Sequence, residues 1–117
     1  MGKTLYEKVY DSHVVFRQEG ELPTLFIDRH LCHEVTSPQA FAGLEAQGRK
    51  LRHPELTLAT MDHDISTRKQ TIEACSAMAQ TQIRALINNA AKFNVTLFGL
   101  NDPNQGIVHI VGPQVGF

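Results

Sequence analysis

Cysteine is scarce in this sequence, which has only two among its 117 residues, Cys32 and Cys75. They lie far apart, and neither belongs to a Cys-x-x-Cys pair, the spacing typical of zinc sites and redox pairs. The sequence therefore indicates neither a disulfide framework nor a zinc site. Because disulfides are rare in reducing compartments, we expect two reduced thiols in a cytoplasmic protein.

An excess of charge of one sign is also missing. The chain has 11 basic and 12 acidic residues and no run of like charges, so nothing in its electrostatics predicts a nucleic-acid or membrane-surface partner. No apolar stretch is long enough to cross a bilayer, and residues 1–6 lack the apolar core of a signal peptide. The length suits one domain, residues 1–117.

The most informative stretch is an apolar run, Leu56–Met61, that ends abruptly in Asp62-His63-Asp64. Its β-branched residues predict a buried strand that delivers a polar pair into a crevice. In open α/β sheets the ligand crevice lies beyond the carboxyl ends of the strands. Asp62 can orient His63, which can move a proton near neutral pH. The alternative is a turn in which Asp62 caps backbone amides and His63 faces solvent.

A second polar cluster, His30-Leu31-Cys32-His33-Glu34, offers imidazole, thiolate and carboxylate groups, all of which are ligands for zinc or iron. On an extended strand, however, His30 and Cys32 face one way and His33 the other. The spacing therefore favours one structural and one functional histidine, and we predict no metal site from it.

Helix signals occur at three places. Thr4 and Ser37 are predicted N-caps, with Pro38 at the first helical position of the second helix, which Gly48 ends, and Asn94 closes a third helix. Thr67 and Gln70 have capping-box spacing for the third helix, although two cations in the first turn leave a later start open. The third helix carries an apolar stripe that includes Cys75 as a core residue: Ile72, Cys75, Ala79, Ile83, Leu86, Ala90 and Phe93.

Two more strands are predicted near the end of the chain, Val95–Phe98 and Ile107–Val111, the latter containing His109. A lone histidine in an apolar strand is usually a hydrogen-bonded core residue. Helices and strands thus alternate along the chain. That order predicts an α/β fold of three layers, with a mostly parallel sheet flanked by helices.

With these histidines placed, the sequence resembles the N-terminal part of the aconitase family, most closely the branch that acts on isopropylmalate. The matching strings, in order, are Thr4–Lys8, Ile27–Leu31, His33–Phe41, Ala59–His63 and Asp102–His109. The resemblance implies isomerisation of 2-isopropylmalate to 3-isopropylmalate by dehydration and rehydration in leucine biosynthesis. It also implies a 4Fe-4S cluster whose open iron acts as a Lewis acid on a small hydroxy-dicarboxylate substrate.

Carried over position by position, the resemblance assigns roles to four residues. Asp62 and His63 match the family's Asp-His pair, which helps protonate the departing hydroxide. His109 matches an active-site histidine that works with an acid further along the chain. His33 stands where aconitase has a substrate-contacting glutamine, so we expect it to bind substrate.

The departures from the family pattern are equally informative. Family members are several times longer, and Cys32 and Cys75 do not match the cysteines that ligate the cluster. We therefore expect residues 1–117 to be a partial aconitase-type domain, inactive alone, whose complete subunit pairs with a separate small subunit. Two alternatives stay open: a relative acting on homoaconitate, a citramalate-type acid or citrate, and a non-catalytic truncated interaction domain with an exposed sheet edge.

Overall fold

A computed structural model describes residues 2–117, so Met1, at the start of the segment tested for a signal peptide, lies outside the described residues. The elements include two short 3-10 turns, Pro54–Leu56 and Ile72–Ala74. The helices are α1 (Leu5–His13), α2 (Ser37–Ala46), α3 (Ala77–Phe93) and α4 (Val108–Gln114). The strands are β1 (Val14–Phe16), β2 (Thr24–Leu25), β3 (His30–Cys32), β4 (Thr57–Thr60) and β5 (Thr96–Phe98).

The centre of the fold is a parallel sheet of three strands in the order β3-β4-β5. All four residues of β4 are buried, as expected for a central parallel strand covered on both faces. Cys32 and Ala59 are in register and belong to the core that α2 and α3 complete. Leu31 points to the opposite face and contacts α4 at Gly112. The predicted three-layer α/β arrangement is therefore confirmed.

Several predicted helix ends are confirmed. The Thr4 hydroxyl accepts a hydrogen bond from the Glu7 amide, and the Glu7 carboxylate accepts one from the Thr4 amide, which completes a capping box. Gly48, after α2, and Asn94, after α3, have φ values of 62° and 56°, the left-handed conformation that closes helices. Ser37 differs from the prediction because it is the first helical residue, and its hydroxyl donates to the His33 carbonyl at 2.6 Å.

The start of α3 lies later than the capping-box spacing at Thr67 predicts. Ser76 is the N-cap, and its hydroxyl accepts a hydrogen bond from the Ala79 amide at 3.2 Å. Cations in a first helical turn oppose the helix dipole, which explains why residues 67–70 form no helix. Cys75 consequently precedes the helix, so its placement on the helical stripe was wrong, although its partly buried side chain packs against the core.

The predicted strand Ile107–Val111 is wrong, because this segment begins helix α4. Val108, Val111 and Gly112 are the buried residues of α4, and their spacing of three and four is helical rather than alternating. A tertiary contact also favours the helix: the Asp62 carboxylate accepts a hydrogen bond from the Val108 amide at 2.7 Å. This bond satisfies an amide that the first turn of a helix leaves without an internal partner.

The N-terminal part of the chain forms α1 and an antiparallel pair, β1 and β2. The apolar residues at helical spacing on α1 contact no core here, since none of the residues of α1 is buried. His13, at the end of α1, pairs with Asp28 across the β1-β2 hairpin at 3.2 Å. Within residues 2–117, no helix has the length and apolarity needed to cross a bilayer.

Candidate active site

The candidate site lies where β3 and β4 end. His33 and Glu34 follow β3 directly, and Asp62 and His63 follow β4 after the buried Met61. Because the two strands are parallel neighbours, their carboxyl ends open at the same edge of the sheet. Atoms of these four side chains lie within 4.8 Å of one another. The four polar residues therefore converge at the carboxyl ends of the strands, where the sequence predicts a ligand crevice.

Asp62 makes two contacts from a nearly buried position, with 3% of its side chain exposed. One carboxylate oxygen accepts a hydrogen bond from Nδ1 of His63, and the other accepts the Val108 amide at 2.7 Å. A histidine that donates through Nδ1 keeps Nε2 for proton exchange. The ring of His63 is 49% exposed. Both interpretations of the sequence hold together: Asp62 caps an amide, and it orients a solvent-facing histidine.

His33 lies against His63. The two rings stack with centroids 3.9 Å apart, and Nδ1 of His33 accepts a hydrogen bond from the Val35 amide at 3.3 Å. A neutral imidazole whose Nδ1 accepts carries its proton on Nε2. His33 therefore offers a hydrogen-bond donor on the ring that stacks against His63.

Glu34 is the functional candidate that the sequence prediction did not include among its site residues. Its side chain is fully buried, and its carboxylate accepts hydrogen bonds from three successive amides. The donors are Asp62 at 3.1 Å, His63 at 2.7 Å and Asp64 at 2.8 Å. The available signal was an acid two residues after a strand, at the sheet end where ligands bind.

His109 lies apart from the other three predicted site residues. It occupies the first turn of α4, immediately after Val108, with an exposed side chain. Among the described residues its ring has no hydrogen-bond partner. The preceding loop is held at the end of β4, where the Gln105 side-chain amide donates to the Met61 carbonyl at 2.5 Å and the Thr60 hydroxyl to the Gly106 carbonyl at 3.1 Å. The fold thus places the start of α4, which carries His109, next to the end of β4.

The four converging residues also have the donor atoms of a metal site. Their hydrogen bonds favour a different use, since Glu34 already binds three amides and both oxygens of Asp62 are occupied. Of the earlier cluster, His30 is exposed on β3, whereas Cys32 is 5% exposed in the core. Strand geometry places these two residues on one face, so they differ in burial and not in the side of the strand on which they lie.

The two cysteines do not fit the thiolate ligands of an iron-sulfur cluster. Burial raises the pKa of the Cys32 thiol to about 11, so this group stays protonated near neutral pH. The Cys75 thiol donates to the Thr71 carbonyl at 3.5 Å, outside the four-residue cluster. A cluster bound near this site would need ligands other than these two residues.

An open cavity of about 410 Å³ adjoins His63. Its lining is mostly polar: His63, Asp64, Ile65, Ser66, Thr67, Arg68, Ala74, Cys75 and Ser76. Hydroxyls and a guanidinium can bind the oxygens of a small acid. The cavity therefore supplies space and suitable donors next to the half-exposed side chain of His63.

Comparison with known proteins gives consistent matches. The sequence profile of the aconitase family (aconitate hydratase) matches residues 7–117. The 3-isopropylmalate dehydratase large subunit of Campylobacter jejuni subsp. jejuni serotype O:2 is 60% identical over 117 residues, which are 100% of this chain and 25% of that protein. The same subunit from serotype O:23/36 is 59% identical over the same shares. The chain thus spans about a quarter of the length of these relatives. No solved structure matches it.

Proposed function

The chain belongs to the aconitase family, and we propose that it is part of a 3-isopropylmalate dehydratase large subunit. The enzyme would convert 2-isopropylmalate into 3-isopropylmalate by dehydration and rehydration, as a cytoplasmic step of leucine biosynthesis. The observation that carries this proposal is 60% identity along the whole chain to relatives of that name. The Asp62–His63 pair supplies the matching chemistry.

In this proposal His63 moves the proton that accompanies the departing hydroxide. Asp62 accepts the hydrogen bond from Nδ1 and stabilises the doubly protonated ring, whose Nε2–H can then donate its proton as the C–O bond breaks, so that the hydroxyl leaves as water and Nδ1 keeps its proton. The proton on the neighbouring carbon goes to a base outside this chain. In rehydration the steps reverse, and Nε2 takes a proton from the attacking water. General acid-base catalysis of this kind contributes about 10²–10⁴-fold to a rate.

His33 would hold the substrate in place. Its ring stacks on the ring of His63, which lines the cavity, so a substrate bound against both rings would meet the Nε2–H donor of His33. A hydroxyl or carboxylate oxygen of the substrate is the matching acceptor. His109, exposed on α4, would complete the site together with an acid from outside this chain.

The complete enzyme would need further parts. We propose that the large subunit pairs with a small subunit, as the name of the relatives suggests, and that it holds a 4Fe-4S cluster. Since Cys32 and Cys75 do not fit the cluster, its ligands would come from residues outside this chain, and we expect the isolated 117-residue chain to be inactive.

The test is a dehydration assay on a complete large subunit that contains this sequence, assembled with its small subunit. We expect turnover of 2-isopropylmalate and a much lower kcat/KM for homoaconitate, citramalate-type acids and citrate. A preference for one of those acids would replace the proposed substrate within the same family. Iron analysis of the isolated chain, before and after anaerobic reconstitution, should give no bound cluster. Bound iron with activity would contradict the assignment of the ligands to other residues.

A further inference from the structure

We propose that Glu34 is a positioning residue that sets the geometry of the Asp62–His63 pair; the catalytic part of this inference rests on the proposed function. The Glu34 side chain has no exposed surface, and one of its oxygens accepts from both the His63 amide (2.7 Å) and the Asp64 amide (2.8 Å). The other oxygen accepts from the Asp62 amide at 3.1 Å.

The chemistry of these contacts calls for a carboxylate. Three successive backbone N–H groups are donors, so their common partner must accept through both of its oxygens. A buried carboxylate is unfavourable unless it is hydrogen-bonded, and hydrogen bonds from amides to a charged acceptor are stronger than those to a neutral one. Glu34 and the turn at 62–64 therefore stabilise each other. Without the turn the buried carboxylate would lack donors, and without the carboxylate the three amides would lack this acceptor.

Glu34 also connects two loops that carry different parts of the site. It follows His33, whose ring stacks on His63, while its own carboxylate accepts a hydrogen bond from the backbone amide of His63. The His63 residue is thus fixed at its amide by Glu34, at Nδ1 by Asp62 and at its ring face by His33. Rotation of the backbone at 62–64 would move Nε2, and a displacement of about 1 Å in a catalytic group can lower a rate by about 10²-fold.

The first test measures the backbone conformation at residues 62–64 and does not depend on enzyme activity. Glu34→Gln keeps the shape of the side chain but places an NH₂ group where a backbone N–H now donates. In the 117-residue chain, NMR should show changed amide shifts and faster hydrogen exchange at Asp62, His63 and Asp64, with most other amides unchanged. Glu45→Gln is the control, because Glu45 is an exposed glutamate paired with Lys92 on the surface. Unchanged signals at residues 62–64 would overturn the proposal.

The second test measures kcat and KM in the assembled enzyme. We expect Glu34→Gln to lower kcat by about 10–10²-fold while KM changes little, because the variant misplaces His63 rather than removing a substrate contact. Glu34→Asp, which retains the charge on a shorter side chain, should recover part of the loss. An unchanged kcat, or a rise in KM alone, would contradict the positioning role.

The outcomes separate this inference from the proposed function. If the unaltered enzyme does not turn over isopropylmalate, the proposed function fails, and the NMR result still decides whether Glu34 holds the turn. If both Glu34 variants fail to fold, as judged by circular dichroism, Glu34 serves the fold as a whole, which counts against a specific role at His63.

Discussion

The imidazole rings of His33 and His63 stack with their centroids 3.9 Å apart and their planes 17° apart. These residues lie in the loops that follow two neighbouring parallel strands, so the stacking connects the loops after β3 and β4. Stacked aromatic rings in this range of distances attract each other beyond simple burial. The contact therefore orders two side chains that the proposed reaction needs side by side.

Replacing His33 by alanine should release the His63 ring without unfolding the chain. We expect the ring proton signals of His63 to move toward their unstacked positions and its NMR relaxation to show more motion. In the assembled enzyme KM for isopropylmalate should rise, because a substrate donor is lost. His53→Ala is the control, since His53 is exposed and pairs only with Glu55. Unchanged kinetics in the His33 variant would end the substrate-binding role.

Asp62→Asn should separate the orienting role of Asp62 from its capping role. The amide oxygen of asparagine can still accept the Val108 amide, but its NH₂ group cannot accept Nδ1–H of His63. We expect kcat to fall by about 10²–10⁴-fold, while circular dichroism stays unchanged. Asp11→Asn is the control, because Asp11 lies on α1, where its carboxylate pairs with Lys3 and Arg17. Equal losses in both variants would contradict a specific role for Asp62.

His109→Ala should affect catalysis and leave folding intact. The side chain is exposed and packs in no core, so the free energy of unfolding should change by less than about 0.5 kcal/mol. In the assembled enzyme the proposed role predicts a fall in kcat. Chemical denaturation of the chain and a turnover assay measure the two effects separately. Normal turnover would remove His109 from the catalytic residues.

The position of Asp62 and His63 at the end of a strand could be predicted from the sequence, because the pattern that marks a buried strand is local. An apolar run with β-branched residues marks a buried strand, and the side chains after Met61 must emerge at its end. Asp62, His63 and His33 were identified in this way, or through the family resemblance, and the fold brings them together.

Glu34 and α4 were missed because their roles depend on distant contacts. Glu34 acts on an amide 28 residues away, and no residue type or spacing in its own segment reveals that partner. The segment Ile107–Val111 has strand-like β-branched residues, but capping by Asp62 and burial of Val108 and Val111 favour the helix. Tertiary contacts override weak local propensity in such cases.

The Cys32 thiol should be unreactive in the folded chain. It is 5% exposed, and burial raises its pKa to about 11, so about one thiol in a thousand is ionised at pH 8. Cys75, which is only partly buried, should therefore be alkylated first. Mass spectrometry of iodoacetamide-treated protein measures both sites, and denaturant should equalise them. Equal rates in the folded chain would contradict the buried position of Cys32.

The His13–Asp28 pair predicts a pH window for the docking of α1 on the hairpin. The Val9 carbonyl, which accepts from Nδ1 at 2.7 Å, and then Asp28 raise the pKa of His13 above its usual 6.5. The hydrogen bond from His13 lowers the pKa of Asp28 below its usual 3.8. The histidine's stabilising contribution is complete below pH 6.5 and is lost as pH rises through its raised pKa. The stabilising contribution of Asp28 is complete above pH 3.8 and is lost as pH falls through its lowered pKa.

An NMR titration of the His13 ring in the 117-residue chain measures this pair directly. Asp28→Asn should lower the pKa of His13 only in part, because the bond to the Val9 carbonyl remains. Asp11→Asn is the control on the same helix, since Asp11 pairs with Lys3 and Arg17 instead. Both side chains are partly exposed to solvent, so the effect on the unfolding midpoint should be small and should weaken with salt. A His13 pKa that is identical in the Asp28→Asn variant would show that the Val9 carbonyl alone sets it and that the pair does not hold α1 to the hairpin.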